Sequence, residues 1–241
     1  MPQTLLGRKI GRIARRASPG FLTCIVMLLL ILPTWAANEE KDEETFQKAA
    51  AVLQEMLNGN NVPADLLAKA NCVMVLPNVK KFGVGIGGSG GRGPMSCRAG
   101  EHFKGKWSAP AMFKVSGVSA GLQVGGSSSD FVLLIMSDKG LNAFLKGKTK
   151  LGSDATAAAG PSGATASSVG DSDVFTYGRA KGLFAGVSLG SATLEPDSDA
   201  NQRLYGKPLS AREIVRGDAV PTPAAGQPLV SLLDSNAPRR N

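Results

Sequence analysis

Apolar residues recur with helical spacing over residues 43–59, "EETFQKAAAVLQEMLNG". They occupy positions i, i+3, i+4 and i+7, so one face of the predicted helix is apolar. Acidic residues in the first turn and Gly59 at the end agree with the preferences of helix termini. We expect this face to pack on a core; the alternative is that it contacts the acyl chains of a membrane. The side chains that would make the membrane contact are Phe46, Leu53, Met56 and Leu57.

After a second short helix predicted at 62–70, the pattern changes to that of β-structure. "CVMVLP" (72–77) is typical of a buried strand that Pro77 stops, and three later segments alternate glycine with apolar residues. They are "GVGIGG" (83–88), "AGLQVGG" (120–126) and "GLFAGVSLG" (182–190). Glycine in strands allows tight coiling and bulges. We therefore predict an α+β fold, with a strongly curved glycine-rich antiparallel β-sheet or partial barrel and N-terminal and C-terminal helices packed on it.

The C-terminal part of the chain predicts short helices at 137–147, 198–206 and 210–217, the last opened by a Ser210–Glu213 capping box. The small-residue stretch 152–173 predicts a long loop, and loops of this length are often functional. Four prolines from Asp218 onward predict a disordered Pro-rich tail at 218–241. We therefore predict one domain at 43–217, followed by this tail.

The first 37 residues resemble a secretory signal peptide. Five basic residues before position 20 precede "FLTCIVMLLLILPTWAA" (21–37), whose apolar core is shorter than the roughly 20 residues of a spanning helix. Cleavage near Ala36 or Ala37 would leave a short acidic leader at 38–42. The alternative is an uncleaved N-terminal anchor. We expect a periplasmic or secreted protein associated with the cell envelope.

The net charge of +8 falls to about +3 without the five leader cations, which is too little to indicate nucleic-acid binding. The most basic stretch of the remaining chain is 80–114, where Glu101 is the only acid. Cations beside apolar, glycine-rich turns suit phospholipid head groups. A solvated face is the plainer alternative. The candidate head-group ligands are Lys80, Lys81, Arg98, Lys104, Lys106 and Lys114.

Motifs for catalysis are weak. "GVSLG" (186–190) matches the nucleophile motif of serine hydrolases, but the only histidine, His102, lies upstream of Ser188. One histidine with two cysteines cannot build a closed zinc site. The sequence predicts no enzyme, no cofactor and no metal, and a serine hydrolase centred on Ser188 is the alternative.

Two cysteines remain in the chain after the leader, Cys72 and Cys97. An exported protein could pair them in a disulfide. Two separate buried thiols are the alternative, because the sequence gives no distance between them.

Several long motifs together resemble the SYLF domain family. They are "ANCVMVLPNVKKFGVGIGGSGGRG", "WSAPAMFKVSGVSAGLQVGGSSSDFVLLIMSDKGLNAFL", "KLGSDATAAAGPSG" and "YGRAKGLFAGVSLGSATLEPDSDANQRLYG", and the resemblance covers residues 43–217. The family includes bacterial exported proteins, fungal actin-patch regulators, and animal and plant lipid-binding proteins. The resemblance implies a non-catalytic module that binds phospholipid at a membrane surface. Actin is not expected as a partner of an exported member, because actin is cytosolic; a protein–protein assembly module or homo-oligomer is a further alternative.

Overall fold

The chain divides into two compact units, Met1–Asn38 and Glu39–Asn241, and the fold below is that of the second. No helix in the described part of the chain is both long and apolar enough to cross a membrane. The computed structural model describes residues 19–84, 86–120, 125–159, 172–180, 189, 192–217 and 220–238.

The helices of the described residues confirm the short helices that the sequence predicts. Ser137 caps the third helix by accepting a hydrogen bond from the backbone N–H of Gly140, and the Ser210–Glu213 capping box opens the fifth. The helices are α1 (Pro19–Asn58), α2 (Ala64–Lys69), α3 (Asp138–Leu145), α4 (Ser198–Tyr205), α5 (Ala211–Arg216) and α6 (Gln227–Asn236).

Within the described residues, eight strands form one sheet in the order β5-β8-β3-β2-β1-β4-β7-β6. All pairs are antiparallel except β6 with β7. The sheet curls into a half-barrel, which confirms the predicted α+β class. The strands are β1 (Cys72–Val84), β2 (Ile86–Cys97), β3 (Ala111–Ala120), β4 (Gly125–Ile135), β5 (Thr149–Lys150), β6 (Ala157–Ala159), β7 (Val174–Ala180) and β8 (Thr193–Pro196).

Close approach between β1 and β2 requires glycine at position 93. A Cβ atom on Gly93 would lie 1.9 Å from the carbonyl oxygen of Val75, closer than any side chain could tolerate. This contact fits the prediction that glycine permits the curvature of the sheet. Part of each of the three glycine–apolar segments lies outside the described residues.

β1 does not stop at Pro77, as the sequence suggested, but passes through a β-bulge there. Its register shifts between Leu76 and Val79 against β4, and Asn78 has a φ of 55°. A bulge tolerates proline because the missing N–H is not needed in the ladder. The Asn78 backbone N–H is instead satisfied by the Asp130 carboxylate at 2.8 Å. β1 therefore continues to Val84 with altered facing.

The sheet carries a core on each face. On one face Met74, Leu76 and Phe113 pack with α3 and α5. On the other face Val73 and Val75 pack with α1, α2 and α6. Burial on both sides explains why "CVMVLP" is a continuous apolar run instead of an alternating one.

Two predicted boundaries are wrong. The first helix begins before residue 43. The predicted acidic leader at 38–42 belongs in part to the domain, because the fully buried Asp42 contacts Arg92 and accepts a 2.8 Å hydrogen bond from Arg203. The tail from Asp218 is not disordered throughout, because α6 buries Leu229 and Leu233 against the sheet. The prolines lie around α6 or in its first turn, where they are compatible with a helix.

Candidate functional site

The lysines predicted to bind head groups lie at two ends of the β1–β2 pair. Lys80 and Lys81 lie near the β1–β2 turn, where Lys81 pairs with Ser89. Lys104 and Lys106 follow the opposite end of β2, beyond Cys97. Eight residues of strand separate Ser89 from Cys97, or about 26 Å at the usual rise per residue. The predicted cations therefore do not form one patch.

Arg98 is not a head-group ligand, because its side chain is fully buried. Its guanidinium lies over the ring of Trp107, 4.5 Å from the centroid. Nη1 donates to the carbonyl oxygen of Pro238 and Nη2 to that of Ala237, each at 2.8 Å. Trp107 Nε1 also donates to the Ala237 carbonyl, at 2.9 Å. Arg98 and Trp107 thus fasten the end of α6, which is a structural role.

Lys114 is also engaged within the protein. Its Nζ lies 3.5 Å from Asp197 Oδ1, and Arg92 approaches the other oxygen of Asp197 at 3.8 Å. Arg92 also pairs with the buried Asp42. These contacts join α1, β2, β3 and the start of α4, so Lys114 and the neighbouring Arg92 are paired with carboxylates inside the protein.

Three of the predicted lysines remain available. Lys80, Lys104 and Lys106 are exposed. Within the described ranges, no carboxylate lies within 4.0 Å of any of their amino groups. Lys81 is half-buried and has contacts of its own. Exposed cations without acidic neighbours can attract an anionic surface at roughly 1 kcal/mol each.

The apolar face of α1 does not offer the predicted acyl contact. Phe46, Leu53 and Met56 are fully buried, and Leu57 is half-buried. Leu53, Met56 and Leu57 pack in the cluster that covers one face of the sheet, and Phe46 packs with Met112. The plainer expectation, a helix packed on a core, describes these residues.

Phe82 is the exposed apolar residue that the sequence analysis missed. Its side chain is 65% exposed, and it is the one large hydrophobic residue classed as exposed among those described. The signal was present in "KKFGVG", an aromatic residue beside two lysines in a glycine-rich strand. It could not be used without knowing the bulge, which decides the face of β1 on which Phe82 lies.

The two cysteines lie directly opposite each other on β1 and β2. Their Sγ atoms are 2.10 Å apart, which is a disulfide, and both residues are fully buried. The bond closes a 25-residue separation and ties the start of β1 to the end of β2. It lies at the opposite end of this strand pair from Phe82.

Other candidates lie elsewhere. His102 is exposed, and Ser188 lies outside the described residues, as do residues 160–171 of the predicted functional loop. Among the described residues, no group of three or more His, Cys, Asp or Glu side chains could hold a metal ion.

Comparison with known proteins identifies the family. Residues 116–236 match the family described as "Ysc84: Las17-binding protein actin regulator". The chain belongs to this Ysc84/SYLF family, which agrees with the motif resemblance. The match extends to the end of α6, so the helix in the supposed tail is part of the family's domain.

Curated relatives are about one third identical to the chain over the aligned residues. Rat "SH3 domain-containing YSC84-like protein 1" is 35% identical over 201 residues, which is 78% of this chain and 58% of that protein. "Protein YSC84" of Saccharomyces cerevisiae is 36% identical over 206 residues, 79% of this chain and 43% of that protein. "LAS seventeen-binding protein 3" of the same yeast is 33% identical over 205 residues, with 79% and 44% covered. The chain thus spans about half the length of the relatives it matches.

Proposed function

We propose that this protein is a non-catalytic binding domain that docks on anionic phospholipid at a bacterial cell envelope. The observation that carries the proposal is the exposure of Lys80, Lys104 and Lys106 without a carboxylate partner in the described chain. Other cations of the basic stretch are held in internal contacts, so an external anion can reach either Lys80 at one end of the β1–β2 pair or Lys104 and Lys106 at the other. The disulfide and the leader-like N-terminus support an exported location.

Membership of a family described as a regulator supports binding rather than catalysis. The family description and the name of one yeast relative, "LAS seventeen-binding protein 3", state binding to a protein, Las17. A protein partner is therefore the second candidate for this chain. The predicted export argues against cytosolic actin in that role.

Flotation with lipid vesicles tests the proposal. A chain that begins at Asn38 keeps the whole of the second compact unit and removes the apolar leader, which would itself enter vesicles. We expect it to float with vesicles that contain phosphatidylglycerol and to stay behind with phosphatidylcholine alone. Raising the salt concentration should weaken the binding, because exposed charges are screened within about 10 Å at 0.1 M salt.

Equal binding to both vesicle types, or negligible binding to both, would contradict the proposal. The second of these results would favour a protein partner instead.

A further inference from the structure

Lys80 and Phe82 lie on the same face of β1, which we call the outer face. Met74, Leu76 and Val79 belong to the core cluster on the opposite face, which we call the inner face. Side chains alternate along a strand, so Lys80 and Phe82 point away from the face that Val79 occupies. The bulge at Pro77 and Asn78 produces this arrangement. If the strand alternated strictly, with no bulge, even-numbered residues would stay on the same side as Met74 and Leu76, and Phe82 would face inward.

The residues around Phe82 leave its ring exposed. Its cross-strand partners are Gly88 on β2 and Gly126 on β4, and Lys80 pairs with Gly90 and Ser128. Glycine and serine next to an aromatic residue cannot cover it. A soluble protein gains nothing in water from an uncovered phenyl ring, whereas transfer into an apolar phase is favourable.

The positive charge beside the ring indicates which apolar phase Phe82 would enter. Lys80 is exposed two residues from Phe82 on the same face, and Lys81 precedes the ring directly. Aromatic residues with flanking cations are typical of surfaces that enter the boundary between lipid head groups and acyl chains. An apolar protein partner would not need the cations, and a free phosphate would not need the ring.

We propose that this end of the sheet, Lys80 and Phe82 beside the β1–β2 turn, is the element that inserts into an anionic bilayer. The inference rests on the proposed lipid binding and gives it an orientation. Phe82 enters the interface and Lys80 contacts lipid phosphates, while the end that carries Lys104, Lys106 and the disulfide points away from the membrane.

Two binding variants and a matched control test this orientation, all in the chain that begins at Asn38. Phe82→Ser should weaken flotation with phosphatidylglycerol vesicles by roughly tenfold, the loss expected when one apolar side chain no longer inserts. Lys80→Gln should weaken it several-fold, whereas Lys104→Gln, which removes the same charge at the other end, should change it less than twofold.

A second measurement separates membrane insertion of residue 82 from a structural role of the Phe82 ring. A Cβ on Gly88 would lie 3.1 Å from Phe82 Cζ, so the ring also shields this glycine and Phe82→Ser could lower stability. Phe82→Trp keeps that shield and adds a fluorophore. The shortened chain otherwise contains only Trp107, which is 5% exposed. Brominated lipid should quench the tryptophan introduced by Phe82→Trp and leave the wild-type emission nearly unchanged.

The outcomes separate the two proposals. If the wild-type chain does not float with phosphatidylglycerol vesicles, both are wrong. If it floats but Phe82→Ser and Lys80→Gln float equally well and brominated lipid does not quench the introduced tryptophan, lipid binding stands and the orientation is overturned. Stronger loss in Lys104→Gln than in Lys80→Gln would also overturn it.

Discussion

Asp173 shows at the scale of one residue how a loop is held to the sheet. It lies just before β7 and accepts hydrogen bonds from the Ser137 hydroxyl, the Thr156 hydroxyl at 2.8 Å and the Thr156 backbone N–H at 3.1 Å. Lys139 Nζ lies 3.4 Å away. Burial raises the pKa of Asp173, but these hydrogen bonds and the lysine charge outweigh it and lower the pKa to about 2.

This lowered pKa predicts a pH dependence of stability. A carboxylate whose folded pKa lies below its unfolded value of 3.8 stabilises the fold above pH 4 and loses that contribution as pH falls towards 2. Asp173→Asn should therefore lower the free energy of unfolding by about 2 kcal/mol at pH 7. The difference from wild type should shrink near pH 2, where about half of the Asp173 carboxyl groups are protonated in the folded state. Denaturant titration at the two pH values measures this.

The exposed Asp234 supplies the control for that experiment, because Asp234→Asn should change the free energy of unfolding by less than about 0.5 kcal/mol at either pH. A constant difference between Asp173→Asn and wild type from pH 7 to pH 2 would contradict the assigned role.

The roles of individual side chains were the hardest feature to predict from the sequence. A basic residue in a basic stretch indicates a surface cation, and Lys80, Lys104 and Lys106 are exposed as that rule expects. Arg98 breaks the rule because, besides stacking on the nearby Trp107, it donates to the carbonyl of Ala237, which lies 139 residues further along the chain. The facing of Phe82 depends on a bulge that a period-two pattern does not contain.

At the scale of elements, α6 covers the part of the sheet face that carries Val73 and Val75. Leu229, Val230 and Leu233 pack in the same cluster as Val73 and Val75 of β1. The Arg98 and Trp107 hydrogen bonds then fix the backbone immediately after the helix. Apolar packing and carbonyl contacts together make α6 part of the domain core.

Leu233→Ala tests this integration. Leu233 is fully buried, so its truncation should lower the free energy of unfolding by about 3 kcal/mol, through lost apolar contact and the cavity left behind. Ser231→Ala, at an exposed position of the same helix, should change it by less than about 0.5 kcal/mol. Chemical denaturation of the two variants gives the comparison, and equal small effects would show that α6 contributes little to the core.

Helices and strands with strong local signals were predictable, and those that depend on tertiary contacts were not. The side chains of Ser210 and Glu213 each accept a hydrogen bond from the other residue's backbone N–H. This capping box alone predicts where α5 begins. The short apolar stretch of α6 lies among prolines and small residues, a composition that also suits a disordered tail. Only the sheet against which Leu233 packs distinguishes the two.

At the scale of the whole molecule, the predicted leader and the disulfide bear on the location of the protein, and the buried Asp42 bears on whether the domain would stay intact after cleavage. Disulfides persist in oxidising compartments, so the Cys72–Cys97 bond is consistent with export. Cleavage after Ala36 or Ala37 would spare Asp42, and with it the contacts to Arg92 and Arg203. Processing at the predicted position is therefore compatible with an intact domain.

Intact mass spectrometry of the protein recovered from the envelope of a bacterial host checks processing and oxidation together. We expect a chain that begins at Ala37 or Asn38 and is lighter than the reduced chain by the two hydrogen atoms that disulfide formation removes. Reduction under denaturing conditions should restore those two hydrogens and leave the N-terminus unchanged. As a control, the Cys72→Ala/Cys97→Ala double variant should be processed identically and show no mass change on reduction. An uncleaved chain would support the N-terminal anchor, whereas a cleaved chain with two free thiols would contradict the disulfide and leave export intact.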